Sequence, residues 1–118
     1  MSAPNAILWV RGGPDDGRSI VLSKETTLIG RDPSNHLVVE DIQVSRRHAD
    51  IRKSPAGDWL EDRGSRHGTF VNGEQVEGEG RELHNMDRIE LGGIGSVHWV
   101  FTEPGATGTF TVAGASPA

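Results

Sequence analysis

Arginine, hydroxyl and imidazole side chains gather in three short fragments of this 118-residue chain: Gly30-Arg31, Ser45-Arg46-Arg47-His48, and a stretch from Asp62 to Gly73 that reads DRGSRHGTFVNG. Gly64 and Gly68 let the last of these turn sharply and approach a neighbour closely, so it reads as a loop built to present groups. A guanidinium carries a planar fork of donors and never loses its charge, which suits it to phosphate or carboxylate. Arg31, Arg46, Arg47, Arg63 and Arg66, with the Ser45 hydroxyl, therefore read as a local anion site. Each has a plainer reading. Arg31 could pair on the surface with Asp32 or Asp62, a contact worth roughly 0–1 kcal/mol; Ser45 could be only a turn residue; His48 is structural on either reading.

Other chemistries fit less well. Ser45, His48 and either Asp62 or Asp50 nominally supply nucleophile, base and orienting acid. The chain has neither a Gly-x-Ser-x-Gly elbow nor the helix such an elbow needs, so no enzyme is expected. The histidines (His36, His48, His67, His84, His98) lack metal-ligand pairing and there is no cysteine, so no metal, cofactor, disulfide or thiolate chemistry is read. Arg46-Arg47 and Arg63-x-x-Arg66 could touch nucleic acid, but the loops lack an aromatic to stack a base. The net charge of -5 also argues against a general nucleic-acid or anionic-membrane binder. That charge is set outside the loops: residues 74–103 hold Glu74, Glu77, Glu79, Glu82, Asp87, Glu90 and Glu103 against Arg81 and Arg88. With no apolar run near the roughly 18 residues of a membrane span and no signal-peptide pattern at the N-terminus, a cytoplasmic monomer is expected.

Strands must position these loops. Apolar, β-prone segments recur along the chain: Ala6–Val10, Ser19–Leu22, Thr26–Ile29, His36–Val39, Ala49–Lys53, Asp58–Glu61, Thr69–Val71, Gln75-Val76, Arg81–Leu83, Arg88–Leu91 and Val97–Phe101. Turn residues separate them, Asn72-Gly73 being the strongest hairpin signal. No 10-residue window keeps a helical period free of Gly or Pro. About ten short, evenly spaced strands imply an all-β sandwich. After Phe101 the chain turns to Gly, Ala, Pro, Thr and Ser, so residues 1–103 are expected to form one domain and residues 104–118 a flexible tail or linker.

Gly30-Arg31, Ser45-x-x-His48, Asp62-x-Gly64-Ser65-x-x-Gly68-Thr69 and Asn72-Gly73, in that order and spacing, resemble the forkhead-associated (FHA) domain, a phosphothreonine-peptide reader. The resemblance covers about residues 6–101. It implies a β-sandwich of about eleven short strands with the ligand on loops at one end. It implies that Arg31 and Ser45 contact the phosphate, with Arg46 and Arg66 as further loop contacts. His48 would brace the loops, and Gly30, Gly64, Ser65, Gly68, Thr69, Asn72 and Gly73 would support the site. The family's usual Asn before the last glycine of Gly-Ser-x-Asn-Gly-Thr, where the amide meets peptide, is His67 here. The implied partner is a phosphothreonine-containing protein, a Ser/Thr kinase or its substrate. The alternative is an interaction module of the same fold that binds a partner independently of phosphate through its sheet face.

Overall fold

The computed structural model describes residues 5–95 and 97–103, and the expected tail at 104–118 lies outside the described residues. Eleven strands form two sheets: β1 (Ile7–Arg11), β2 (Ser19–Val21), β3 (Thr26–Gly30), β4 (Leu37–Val38), β5 (Ala49–Ser54), β6 (Gly57–Asp62), β7 (Thr69–Val71), β8 (Glu74–Gln75), β9 (Arg81–Glu82), β10 (Arg88–Leu91) and β11 (His98–Thr102). One sheet runs β2-β1-β11-β10-β7-β8 and the other β4-β3-β5-β6-β9. All pairings are antiparallel except β3 with β4, which is parallel. The all-β expectation holds, and the described residues contain no helix.

Alternation decides which face is buried. Leu8 and Val10 on β1, Trp99 and Phe101 on β11, and Ile89 and Leu91 on β10 point inward from one sheet. Ile29, Ala49, Ile51 and Leu60 meet them from the other. Burial rather than propensity fixes some ends. Strand pairing at β8 covers Glu74–Gln75 and stops before the buried Val76, one residue earlier than the sequence reading. His36 stands just outside β4, its Nδ1 accepting the Leu28 N–H at 2.9 Å.

Register brings the ends of five strands together. Ile29 pairs with Ala49, Ala49 with Asp62, and Leu91 with Thr69. The loops 31–36, 39–48, 63–68 and 92–97 therefore emerge at one end of the sandwich. Because Arg11 pairs with His98, the β1–β2 loop emerges there too.

Candidate functional site

Gly30 ends β3 where the chain passes against the next loop. A Cβ there would collide with the Arg46 carbonyl and lie 2.9 Å from Asn35 Nδ2, so the close approach requires glycine. It aligns the two chains: the Arg31 N–H donates to the Ser45 carbonyl at 3.0 Å and the Asp32 N–H to the Arg46 carbonyl at 3.3 Å. The Arg31 side chain is then held part-way along its length, Nε donating to the Val44 carbonyl at 3.0 Å. Its terminal nitrogens have no hydrogen-bond or ion-pair partner among the described residues.

Neither nearby carboxylate neutralises it. Asp32 accepts the Ser34 N–H and hydroxyl, both at 2.9 Å, and the backbone bond, followed by the hydroxyl bond, lowers its pKa. Asp62 faces into its own loop. Its Oδ2 accepts the Gly64 and Ser65 N–H groups at 3.0 Å, and its Oδ1 accepts the Ser65 and Thr69 hydroxyls at 2.6 and 2.7 Å. Burial raises the Asp62 pKa, but the four hydrogen bonds outweigh it and the net shift is downward. Ser65 Oγ in turn accepts the Gly68 N–H at 2.9 Å.

His48 is fully buried and ties two loops together. Its Nδ1 accepts the Ser45 N–H at 3.1 Å, and its Nε2 lies 2.9 Å from the Gly68 carbonyl. Both contacts are satisfied by the neutral tautomer with the proton on Nε2. Burial lowers the His48 pKa, partly opposed by the Gly68 carbonyl and by Asp62. With both ring nitrogens so engaged, the imidazole is not hydrogen-bonded to the Ser45 hydroxyl, and a Ser-His-Asp relay is not assembled. Ser45 Oγ instead accepts the Arg66 N–H at 3.0 Å, which leaves its own proton free to point outward.

The Arg46, Arg66 and His67 side chains are exposed around this centre. Two other arginines of the expected patch are engaged elsewhere. Arg63 pairs with Asp50 at 3.6 Å and Glu61 at 3.7 Å, and Arg47 reaches Asn35 Oδ1 at 3.4 Å. Asn72 and Gly73, with φ of 51° and 86°, form the β7–β8 turn at the far end of β7 from Thr69. Asn72 is bonded there to Asp87 and to the Arg88 N–H, away from the loops.

The sequence reading missed two supports. Asn35, buried, donates through Nδ2 to the Asp32 carbonyl at 2.8 Å and the Arg46 carbonyl at 2.7 Å. Gly92 donates its N–H to the Gly68 carbonyl at 2.7 Å, and a Cβ there would strike the His67 carbonyl. Asp62, which the sequence offers as a loop-motif residue, a triad acid or an Arg31 partner, braces its own loop, and the Asp-x-Gly-Ser spacing is the Asx-turn signal for that role.

A family model described as the FHA domain matches residues 27–92, more than half of the chain. The chain belongs to the FHA family. Its relatives include the oxoglutarate dehydrogenase inhibitor of Corynebacterium jeikeium, 41% identical over 90 residues (75% of this chain, 60% of the relative). Another is the glycogen accumulation regulator GarA of Mycolicibacterium smegmatis, 38% identical over 88 residues (75% of this chain, 54% of the relative). The chain thus spans little more than half the length of these relatives. A solved FHA structure, described in connection with phosphothreonine-dependent FHA domain interactions, superposes with a TM-score of 0.72 at 30% identity, covering 83% of this chain and 95% of that one.

Proposed function

We propose that this FHA domain is a phosphothreonine-dependent binding module of Ser/Thr-kinase signalling, with the phosphate received by Arg31, Ser45, Arg46 and Arg66. The observation that carries the reading is the state of Arg31. Its Nε is anchored, its terminal nitrogens have no partner among the described residues, Asp62 is taken up by four donors of its own loop, and Asp32 accepts from Ser34 rather than from Arg31. Phosphate brings about -1.5 to -2 charges and three strong acceptor oxygens, which suits a poised guanidinium beside an available hydroxyl. His67, at the rim, is placed to meet the peptide, while Gly30, His48, Gly64, Ser65, Gly68 and Thr69 hold the loops.

The partner is a phosphothreonine-bearing protein, a Ser/Thr kinase or its substrate. The relatives' names, an inhibitor and a regulator, support a regulatory role by binding rather than by catalysis. Calorimetry with matched phosphorylated and unmodified threonine peptides tests the reading, together with Arg31→Ala. Loss of charge-assisted bonds is expected to cost about 1.5–3 kcal/mol, roughly ten- to a hundred-fold in affinity. Equal affinity for the two peptide forms would overturn it.

A further inference from the structure

Asn72-Gly73 is the strongest turn signal in the chain, and the anion site leaves it unused at the far end of β7. It is also the pair in which a backbone nitrogen attacks the preceding side-chain amide with least hindrance, because glycine has no side chain to obstruct the approach. Of the four asparagines only Asn72 precedes a glycine; Asn5, Asn35 and Asn85 precede Ala6, His36 and Met86. Asn72 and Gly73 are both exposed, and a Cβ built on Gly73 would meet nothing within 4 Å. Solvent and space are therefore present at the turn.

What opposes the reaction is a clamp on the side-chain amide. Its Nδ2 donates to Asp87 Oδ1 at 2.8 Å, and its Oδ1 accepts the Arg88 N–H at 3.0 Å. The Asn72 N–H donates to the Arg88 carbonyl at 2.8 Å. Asp87 is buried, and its other oxygen accepts the His84 N–H at 2.7 Å, so the clamp is anchored in the β9–β10 connection. With φ of 51° at Asn72, the backbone lies in the left-handed region that an Asn-Gly hairpin demands. Cyclisation requires the amide carbon to swing toward the Gly73 nitrogen, and that swing breaks the bonds to Asp87 and Arg88.

We propose that Asn72 is a site of spontaneous deamidation, reached by local opening of the β7–β8 turn, with Asp87 as the residue that holds the turn shut. The Gly73 nitrogen gives up its proton and bonds to Asn72 Cγ, the Cγ–Nδ2 bond breaks, and Nδ2 departs with that proton as ammonia. Water then opens the resulting succinimide at one of its two carbonyls, leaving either aspartate or an isoaspartyl link at position 72. Neither product fits the clamp. Aspartate turns an acceptor in place of a donor toward Asp87 Oδ1 and sets two carboxylates against each other. An isoaspartyl link lengthens the main chain by one carbon and shifts the pairing of Val71 with Glu74. The conversion runs one way, since ammonia is lost to solvent, and it is independent of the phosphothreonine reading.

The test follows amide loss at each asparagine by peptide mapping and mass spectrometry, with the whole chain held in mildly alkaline buffer, native or in denaturing urea. Asn72 is expected to convert at least about ten-fold faster in urea than in the native fold, the factor set by loss of its bond to a carboxylate, with Asn5, Asn35 and Asn85 lagging behind it. Asp87→Asn keeps the shape of the residue but accepts from Asn72 or from the His84 N–H, not both, and is expected to stay folded and to convert at Asn72 about ten-fold faster than wild type. Asn72→Asp, made directly, is expected to melt below wild type. Equal rates in native and urea-denatured chains, a folded Asp87→Asn that converts no faster than wild type, or an Asn72→Asp protein that melts with wild type overturns the inference. If Asp87→Asn does not fold, wild type in urea below its unfolding midpoint decides: a rate that climbs ahead of global unfolding supports local opening, and one that climbs only with it overturns the proposal.

Discussion

Replacing His48 with Ala tests whether one buried imidazole holds the site in shape. The ring is fully buried and ties the Ser45 N–H to the Gly68 carbonyl, 20 residues beyond His48 in sequence. Without it the Gly68 carbonyl keeps the Gly92 N–H, but the Ser45 N–H is left with no acceptor. An orphaned, partly buried donor costs about 1–3 kcal/mol, and the space left by a buried ring adds to that. A total near 3 kcal/mol is expected, on the order of 15 °C in melting temperature for a domain of this size. Acid should erase part of the difference. Burial disfavours the charged ring and lowers the His48 pKa, and a protonated ring would also turn a second N–H toward the Ser45 N–H, so folding favours the neutral form. The unfolded chain, titrating near 6.5, then binds more protons below that pH. The stabilisation is complete above about 6.5 and is lost as pH falls from there through the folded-state pKa. Other shifted groups such as His98 are present in both proteins and cancel in the comparison. Thermal melts of wild type and His48→Ala from pH 7.5 to 5 should therefore show a gap that narrows on acidification. A melting temperature within about 3 °C of wild type at pH 7.5, or a gap independent of pH, refutes the reasoning.

Gly92→Ala is expected to cost about 1–3 kcal/mol through overpacking, because the new methyl strikes the His67 carbonyl, and to weaken phosphopeptide binding; denaturant midpoints and anisotropy measure both. Gly64→Ala meets open space and suffers only from its φ of 77°, so a loss of about 1 kcal/mol is expected there. Asp62→Asn should destabilise by roughly 2–4 kcal/mol at pH 7. Since the Asp62 pKa is lowered on folding, that stabilisation exists above the unfolded value near 3.9 and disappears as pH falls through the folded one; an acid titration of both proteins should show them converging. Arg63→Ala should leave phosphopeptide affinity within about two-fold but cost about 1–3 kcal/mol of stability, because its guanidinium is paired with Glu61 and with the buried Asp50; a ten-fold loss of affinity would place Arg63 in the site.

Strand content was legible because it is a local property. The alternation of β1 and β11 and the Asn72-Gly73 turn are written in adjacent residues, and the structure repeats them. What each loop residue touches was not. Arg63 and Arg31 look alike in sequence, yet Arg63 sits where β5 and β6 bring Asp50 and Glu61 together, while Arg31 follows a glycine against the Val44–Arg46 carbonyls. Gly92 reads as an ordinary turn residue, since its reason, the His67 carbonyl, lies 25 positions away. Asn35 reads as a strand breaker, although its amide is what fixes the Arg46 carbonyl.

The network explains how a domain of net charge -5 can keep unneutralised arginines together at one end. A surface ion pair at 4 Å has about 4 kcal/mol of direct Coulomb attraction at an effective dielectric of 20, enough for a mobile carboxylate to compete with an incoming ligand. Asp62, which could play that part, is held by short hydrogen bonds from Gly64, Ser65 and Thr69, and breaking those bonds to reach Arg31 would leave the buried Thr69 hydroxyl without an acceptor; Asp32 is held through one oxygen by Ser34. The Val44 carbonyl meanwhile restricts the Arg31 stem, so part of the side-chain entropy cost of ordering it is met before any ligand arrives. The acceptors of the scaffold thus hold the loops while leaving the end of the guanidinium without a partner among the described residues, which is the state that the proposed phosphate reading requires of it.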